Sequence, residues 1–133
     1  MALQGKLNIG GREYAVIECE YEFTQTVDET GKPVSRPHGG TITFVMTSTN
    51  DDDLFFYKWM FNKTMVHDGS FKLTVFTYDN KPSYKTVSFK NAYCIGLKDF
   101  FNDRDGNLMY STITICAEVI EIGGGARFSN EWV

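Results

Sequence analysis

Runs of basic residues are missing from this sequence. Lysine and arginine number 13 in 133 residues, against 17 aspartates and glutamates, and the formal net charge is −4. The basic residues are also scattered along the chain, whereas a nucleic-acid-binding surface needs clustered positive charge. The composition therefore argues against a nucleic acid partner.

Long apolar runs are missing as well. No stretch approaches the roughly 18 consecutive apolar residues that a membrane-spanning helix needs, and residues 1 to 11 contain no apolar core of a secretory signal. We therefore expect no membrane insertion. We also expect synthesis in the cytoplasm and, if the protein is exported, export without a cleaved signal peptide.

Histidine and cysteine are scarce, and neither forms a motif. His38 and His67 lack a serine, cysteine or carboxylate at a spacing that would support a nucleophile. Cys19, Cys94 and Cys116 stand singly, without the Cys-x-x-Cys spacing of zinc or redox sites. We predict buried reduced thiols and no catalytic residue, metal site or cofactor.

Other patterns that suggest chemistry have simpler explanations. A row of glutamates at 18, 20 and 22 is more simply a solvated strand face than a set of general acids. The glycine pairs precede no helix, so they form no phosphate loop. The acidic segment 102 to 107 lacks the flanking helices of a calcium loop, and we predict a hairpin tip there.

The sequence is rich in alternating apolar and polar residues, the pattern of half-buried β-strands. Such alternation runs from Ala15 to Phe23, and Gly10-Gly11 ahead of it predicts a tight hairpin turn. We predict a single domain over residues 1 to 133, mainly β: a compact antiparallel barrel of two packed sheets with one α-helix. The side chains expected to fill the barrel are Ile17, Tyr21, Phe23, Phe44, Phe71 and Ile113.

The second half of the chain continues as strands. The turn-rich segment 79 to 82 predicts a second hairpin, and Asn91 and Gly96 predict bends or bulges. Three glycines at 123 to 125 then release a tail that either docks or frays. The predicted strands are Ser70 to Tyr78, Ser83 to Phe89, Phe89 to Leu97 and about Asn107 to Ile122.

One helix is predicted at about residues 51 to 63. Three aspartates at 51 to 53 favour a helix start through their side-chain oxygens and their charge. Neighbours on a helix point about 100° apart, so capping is favoured over metal ligation. The helix is apolar on nearly every face, which leaves one stripe for an interface. The candidates for this interface are Phe55, Phe56, Trp59 and Phe61.

A long polar segment, Thr24 to Gly39, separates two strongly alternating strands. Loops of this length without a helical period are uncommon in a compact domain and usually have a function. We interpret this segment, the arm, as reaching another subunit. Its interface candidates are Val27, Pro33, Val34, Arg36, Pro37 and His38.

Several short motifs, in their order along the chain, resemble one family. They are Gly-Lys-Leu-Asn-Ile-Gly-Gly-Arg-Glu-Tyr at 5 to 14, Asp-x-x-Gly-Lys-Pro at 28 to 33, His-Gly-Gly-Thr-Ile at 38 to 42, Leu54 to Met60, Phe-Lys-Asn-Ala-Tyr at 89 to 93, and Asn-Glu-Trp-Val at 130 to 133. Together they resemble the Hcp (haemolysin-coregulated) tube proteins of the type VI secretion system, in the branch found in Bacteroidetes. The resemblance covers essentially the whole chain.

The resemblance implies a subunit that closes six at a time into a ring. The rings would stack into a tube inside a contractile sheath, with spike and baseplate proteins as further partners and protein effectors carried in the lumen. The arm would pack on a neighbouring subunit. Either the threonines or the glutamate row would line the lumen; the threonine candidates are Thr41, Thr43, Thr112 and Thr114.

Two alternatives remain open at this point. A phage or phage-like tail tube protein has the same architecture and differs only in genomic context. A monomeric β-barrel that binds a small apolar ligand would be hollow, with small inward residues.

Overall fold

The computed structural model describes residues 5–47, 54–105 and 108–130. They form seven strands, one α-helix and one 3₁₀ turn. In chain order these are β1 (Gly5–Ile9), β2 (Arg12–Tyr21), β3 (Thr41–Thr47), α1 (Phe55–Phe61), β4 (His67–Phe76), β5 (Pro82–Asn102), the 3₁₀ turn (Asp103–Asp105), β6 (Leu108–Ile122) and β7 (Ala126–Ser129).

Six of the strands close into an antiparallel barrel. The sheet order is β3-β2-β1-β4-β5-β6, and a further pairing of β3 with β6 joins its two ends. Strand β7 pairs with β6 beyond the end of β3, so the tail after the glycines docks on the sheet. The predicted fold, a mainly β barrel with one helix, is confirmed.

The predicted hairpins are also confirmed. Gly10 and Gly11 have φ angles of 58° and 76°, which the tight β1–β2 turn requires and which glycine adopts without strain. The 3₁₀ turn forms the predicted tip of the β5–β6 hairpin. Strand β5 runs without a break through both of its predicted irregularities, with Asn91 at φ 54° and a register shift between Cys94 and Gly96.

The barrel interior is filled with side chains. Phe71 lies between Phe44 and Phe89, with ring centroids 5.1 and 5.6 Å away. A small barrel packed in this way has no room for a ligand. The residues that are no more than 1% exposed include Leu7, Phe44, Phe71, Phe89, Ile113, Ile115 and Ile120.

Two residues predicted to face inward do not. The pairing of β2 with β3 shifts register between Val16 and Glu18, so Ile17 is an extra residue that falls out of the alternation and is 53% exposed. Phe23 lies beyond the end of β2 and is 37% exposed. The sequence pattern missed the bulge because Ile17 has the same parity as Cys19 and Tyr21, which do pack against the core.

The helix is shorter than predicted, at seven residues, and Leu54 before it makes no side-chain capping bond. Residues 48–53, where capping by aspartates was expected, lie outside the described residues. The Asp99 carboxylate fixes the helix to the barrel, since it accepts hydrogen bonds from Tyr57 of α1 and Ser111 of β6. Within the described ranges, no helix is long and apolar enough to cross a membrane.

Candidate subunit-contact surface

The arm is an ordered two-stranded ribbon rather than an irregular loop. Isolated bridges join Thr24 to His38 and Val27 to Pro33. The Val34 amide donates to the Thr26 carbonyl oxygen at 2.8 Å, and the Thr26 amide donates to Ser35 Oγ at 2.9 Å. These bonds fix the arm's conformation within its own chain.

Asp28 holds the arm's turn together. Its Oδ1 accepts hydrogen bonds from the Thr30 amide (2.9 Å), the Thr30 hydroxyl (2.7 Å) and the Lys32 amide (3.0 Å). The Thr30 hydroxyl bond, followed by that from the Lys32 amide, lowers the pKa of Asp28 from 3.8 because it stabilises the carboxylate. The ionised side chain therefore stabilises this turn through three hydrogen bonds.

The end of the chain holds the base of the arm. The Phe23 and Phe128 rings lie 5.2 Å apart, and Arg36 Nη2 donates to the Ser129 carbonyl oxygen at 3.2 Å. Asn130 Nδ2 donates to the carbonyl oxygens of Gly39 (3.2 Å) and Ala117 (3.0 Å). Strand β7 thus fixes the direction in which the arm leaves the barrel.

Gly40 makes this clamp possible. Its φ is 98°, and a Cβ there would lie 2.3 Å from Asn130 Nδ2 and 2.8 Å from the Ala117 carbonyl oxygen. Only glycine combines that conformation with so close an approach.

The predicted arm candidates all lie on the exposed surface of this chain. Val27 is 53% and Val34 61% exposed, which is high for valine in a structured ribbon. The remaining four, Pro33, Arg36, Pro37 and His38, are exposed as well.

The helix candidates divide into two groups. Phe61 is 80% exposed, and Phe55 is half-buried beneath the Arg12 guanidinium, 5.3 Å from its ring. Phe56 and Trp59 are 5% and 0% exposed and belong to the barrel core, so proposing them as contacts was wrong. Their i, i+3 spacing puts them on the inward stripe, and Trp59 Nε1 donates to the carbonyl oxygens of Ala92 (3.1 Å) and Met65 (3.2 Å).

The four threonine candidates share the outer face of strands β3 and β6. Thr43 and Thr114 are cross-strand partners whose hydroxyl oxygens lie 3.2 Å apart. Glu20 pairs with Thr43 and Glu18 with Val45, so the glutamate row continues the same face onto β2. The bulge at Ile17 produces this alignment. The alternatives posed by the sequence, threonines or glutamates, are therefore one surface.

The three cysteines differ in burial, whereas all three were predicted to be buried. Cys94 is buried, whereas Cys19 and Cys116 are half-buried, and all three are free. Burial raises the pKa of Cys19 and of Cys94 to about 11. In the described part of the chain, no three His, Cys, Asp or Glu side chains are grouped to hold a metal ion.

The sequence analysis missed a set of exposed aromatic residues, which lie on the β4–β5 hairpin and near the far end of strand β5. The β4–β5 hairpin extends past β1, whose first described residue, Gly5, pairs with Leu73. Among the described residues, no strand pairs with β4 beyond Leu73 on the side of β1. The most exposed of these aromatics are Phe76, Tyr78, Tyr84, Phe100 and Phe101.

Comparison with known proteins identifies the family. The model of the family "Hemolysin coregulated protein Hcp (TssD)" matches residues 1–133. Hcp1 from Flavobacterium johnsoniae is 30% identical with a TM-score of 0.80, over 96% of this chain and 99% of that one. No functionally curated protein matches this chain.

More distant structures share the fold alone. A double mutant of Hcp1 from the E. coli EAEC 042 pathovar is 15% identical with a TM-score of 0.71, over 99% of this chain and 100% of that one. A chain of the sheath-tube complex of the PVC extracellular contractile injection system is also 15% identical, with a TM-score of 0.57, over 92% and 89%. The chain belongs to the haemolysin-coregulated (Hcp, TssD) family of type VI secretion tube proteins.

Proposed function

We propose that this chain assembles into six-membered rings that stack into the inner tube of a type VI secretion system. Sheath contraction ejects the tube toward a neighbouring cell, and effectors can travel in its lumen. The observation that carries this proposal is the preorganised, exposed arm on a barrel whose interior is already full. The function is mechanical, and the family to which the chain belongs is one of structural tube proteins.

The physical argument starts from the cost of ordering the arm. Sixteen residues in a ribbon, Thr24 to Gly39, lose conformational entropy when they fold, yet their apolar side chains stay in water. A segment that is already ordered binds a partner with less further loss. Contacts between an arm and a different surface of the next copy are heterologous, and they form a ring when the rotation between successive copies closes.

The outer face of β2, β3 and β6 suits a lumen. Glu18, Glu20 and the four threonines make it polar, and six copies of a hydroxyl-rich and carboxylate-rich face would keep water between wall and cargo. We propose that this face lines the tube. The protein is then cytoplasmic until it is ejected, and its further partners are sheath, spike and baseplate proteins.

The two alternatives have less support. The likeness to a chain of the sheath-tube complex of an extracellular contractile injection system is at 15% identity and concerns the fold alone. A small-ligand barrel requires interior space, and Phe44, Phe71 and Phe89 occupy it here.

The arm can be tested by replacing Val34 and Arg36 with glycine. We expect the hexamer signal in native mass spectrometry to fall strongly. The variant loses the exposed apolar side chain of Val34 and the hydrogen bond by which Arg36 fixes the base of the arm. Circular dichroism melting should change by only a few degrees, since loop residues add little to the core.

Val66→Ala serves as the matched control, because this valine is 38% exposed but lies outside the arm. It should leave assembly unchanged. If the melting temperature of the double glycine variant falls as strongly as its hexamer signal, the arm stabilises its own barrel instead.

A further inference from the structure

His67 packs against two aromatic side chains of the helix. The centre of its imidazole ring lies 4.7 Å from that of Phe55 and 5.0 Å from that of Trp59. Trp59 is fully buried in the barrel core, whereas His67, the first residue of β4, is half-buried. The imidazole therefore forms part of the surface on which α1 rests.

The helix needs such contacts because it is short. Seven residues make about two turns, and an isolated helix of that length is marginal in water. Tyr57 donates a hydrogen bond to Asp99 of β5, and Trp59 Nε1 donates to the Ala92 carbonyl oxygen at 3.1 Å. His67 is the cross-strand partner of Ala92. A change in the charge of His67 therefore acts at the strand position that anchors Trp59.

Two positive charges share a cavity with this imidazole. Arg12 of β2, Lys58 of α1 and His67 line a cavity of about 210 Å³. The acidic group beside His67 in β4 is Asp68, whose Oδ1 accepts a hydrogen bond from the Asn91 amide at 2.8 Å. A proton on His67 would add a third positive charge to the cavity, with one carboxylate beside it among the residues that the structure describes.

We propose that His67 makes the docking of α1 sensitive to pH. The neutral imidazole packs against Phe55 and Trp59 and holds the helix on the barrel. The protonated ring loses hydration in this contact and is repelled by Arg12 and Lys58, so acid loosens α1. The inference concerns a single chain and goes beyond the proposed function, because it does not depend on whether six chains form a ring.

The pH range follows from the chemistry of histidine. Burial lowers the pKa of His67 from 6.5, and the Asp68 carboxylate opposes this shift. Because the folded state has the lower pKa, the contribution of His67 to stability is complete above pH 6.5 and is lost as the pH falls through the folded value. We therefore expect α1 to loosen below pH 6.5.

The indole of Trp59 reports both protonation and loosening. The chain has two tryptophans, so Trp132→Phe leaves Trp59 as the only one. An imidazolium quenches a neighbouring indole more strongly than an imidazole does, and an indole that gains contact with water emits at longer wavelength. Between about pH 8 and about pH 5, we expect the emission of Trp132→Phe to fall and to shift to longer wavelength, with one midpoint below pH 6.5.

Two histidine variants in the Trp132→Phe background assign the transition. His38, the other histidine of the chain, is exposed in the arm, so His38→Gln should keep the transition. His67→Gln should abolish it. A transition that persists in His67→Gln would overturn the proposal. Quenching without a wavelength shift would also overturn it, because α1 would then stay docked when His67 is protonated.

Lys58→Gln tests the repulsion and leaves the ring contacts in place. Lys58 is exposed in the last turn of α1, so the fold should persist in this variant. Removing its charge should raise the midpoint by about 0.1 to 0.5 pH units, the size expected for an exposed charge pair. Lys63→Gln is the matched control, because Lys63 is exposed after the helix and lines a different cavity. A midpoint that stays in place, or that moves equally in both variants, would overturn the role given to the cavity charges.

Discussion

Single residues in this chain divide sharply between the barrel and its surroundings. Trp59 and Phe61 are two positions apart on the same short helix, yet one is 0% and the other 80% exposed. The helix sequence is apolar on nearly every face, so composition could not distinguish them. What decides is the inward stripe, along which Trp59 reaches the Ala92 carbonyl oxygen of β5.

Trp59→Phe should lower the free energy of unfolding by about 1–3 kcal/mol, because the buried Ala92 carbonyl oxygen and the part-buried Met65 carbonyl oxygen lose their donor and a gap opens in the core. Phe61→Ala should change it by only about 0.5 kcal/mol, while lowering the hexamer fraction if Phe61 contacts another subunit.

Urea unfolding measures the free energy of unfolding of both variants. The protein concentration is kept the same throughout, because assembly itself adds stability. Equal costs for the two variants would contradict this division between core and surface.

Among the elements, those with strict alternation were predictable. The turn glycines, the bends at Asn91 and Gly96 and the docked strand β7 all occur within segments that the sequence marked. The bulge at Ile17 was not predictable, because an inserted residue changes the face without changing the pattern. The ribbon structure of the arm was also missed, since it depends on Asp28 and backbone bonds rather than on apolar periodicity.

Asp28→Ala should loosen the arm and leave the barrel intact. Glutamyl endopeptidase, which cuts after glutamate, should cleave at Glu29 several-fold faster in this variant, because the turn loses three hydrogen bonds. Asp79→Ala is the matched control. That aspartate accepts a side-chain hydrogen bond in a different exposed turn, so its loss should not affect cutting at Glu29. An unchanged rate in Asp28→Ala would show that the turn does not depend on the carboxylate.

Acid gives the same element a second test. Because folding lowers the pKa of Asp28 from 3.8, its contribution is present above pH 3.8 and is lost as the pH falls through the lower folded value. The difference in pepsin cleavage of the arm between wild type and Asp28→Ala should therefore be present above pH 3.8 and disappear as the pH falls well below it. A difference that persists at the acid limit would assign the effect to something other than ionisation.

At the scale of the whole molecule, the barrel and the arm form a building block whose contacts with the next copy have a direction. The closed barrel gives rigidity, and the arm leaves it in a direction that β7 fixes. An arm that contacts a different surface of the next copy leads to rings or filaments rather than to symmetric dimers. The sequence could suggest such a body through its family motifs, but the shared face of threonines and glutamates required the strand register.

Native mass spectrometry of the purified wild-type protein at micromolar concentration, with negative-stain images of the same sample, tests the central claim most directly. The account predicts a six-subunit species and ring-shaped views with an open centre. A monomer by mass, with no rings in the images, would contradict it.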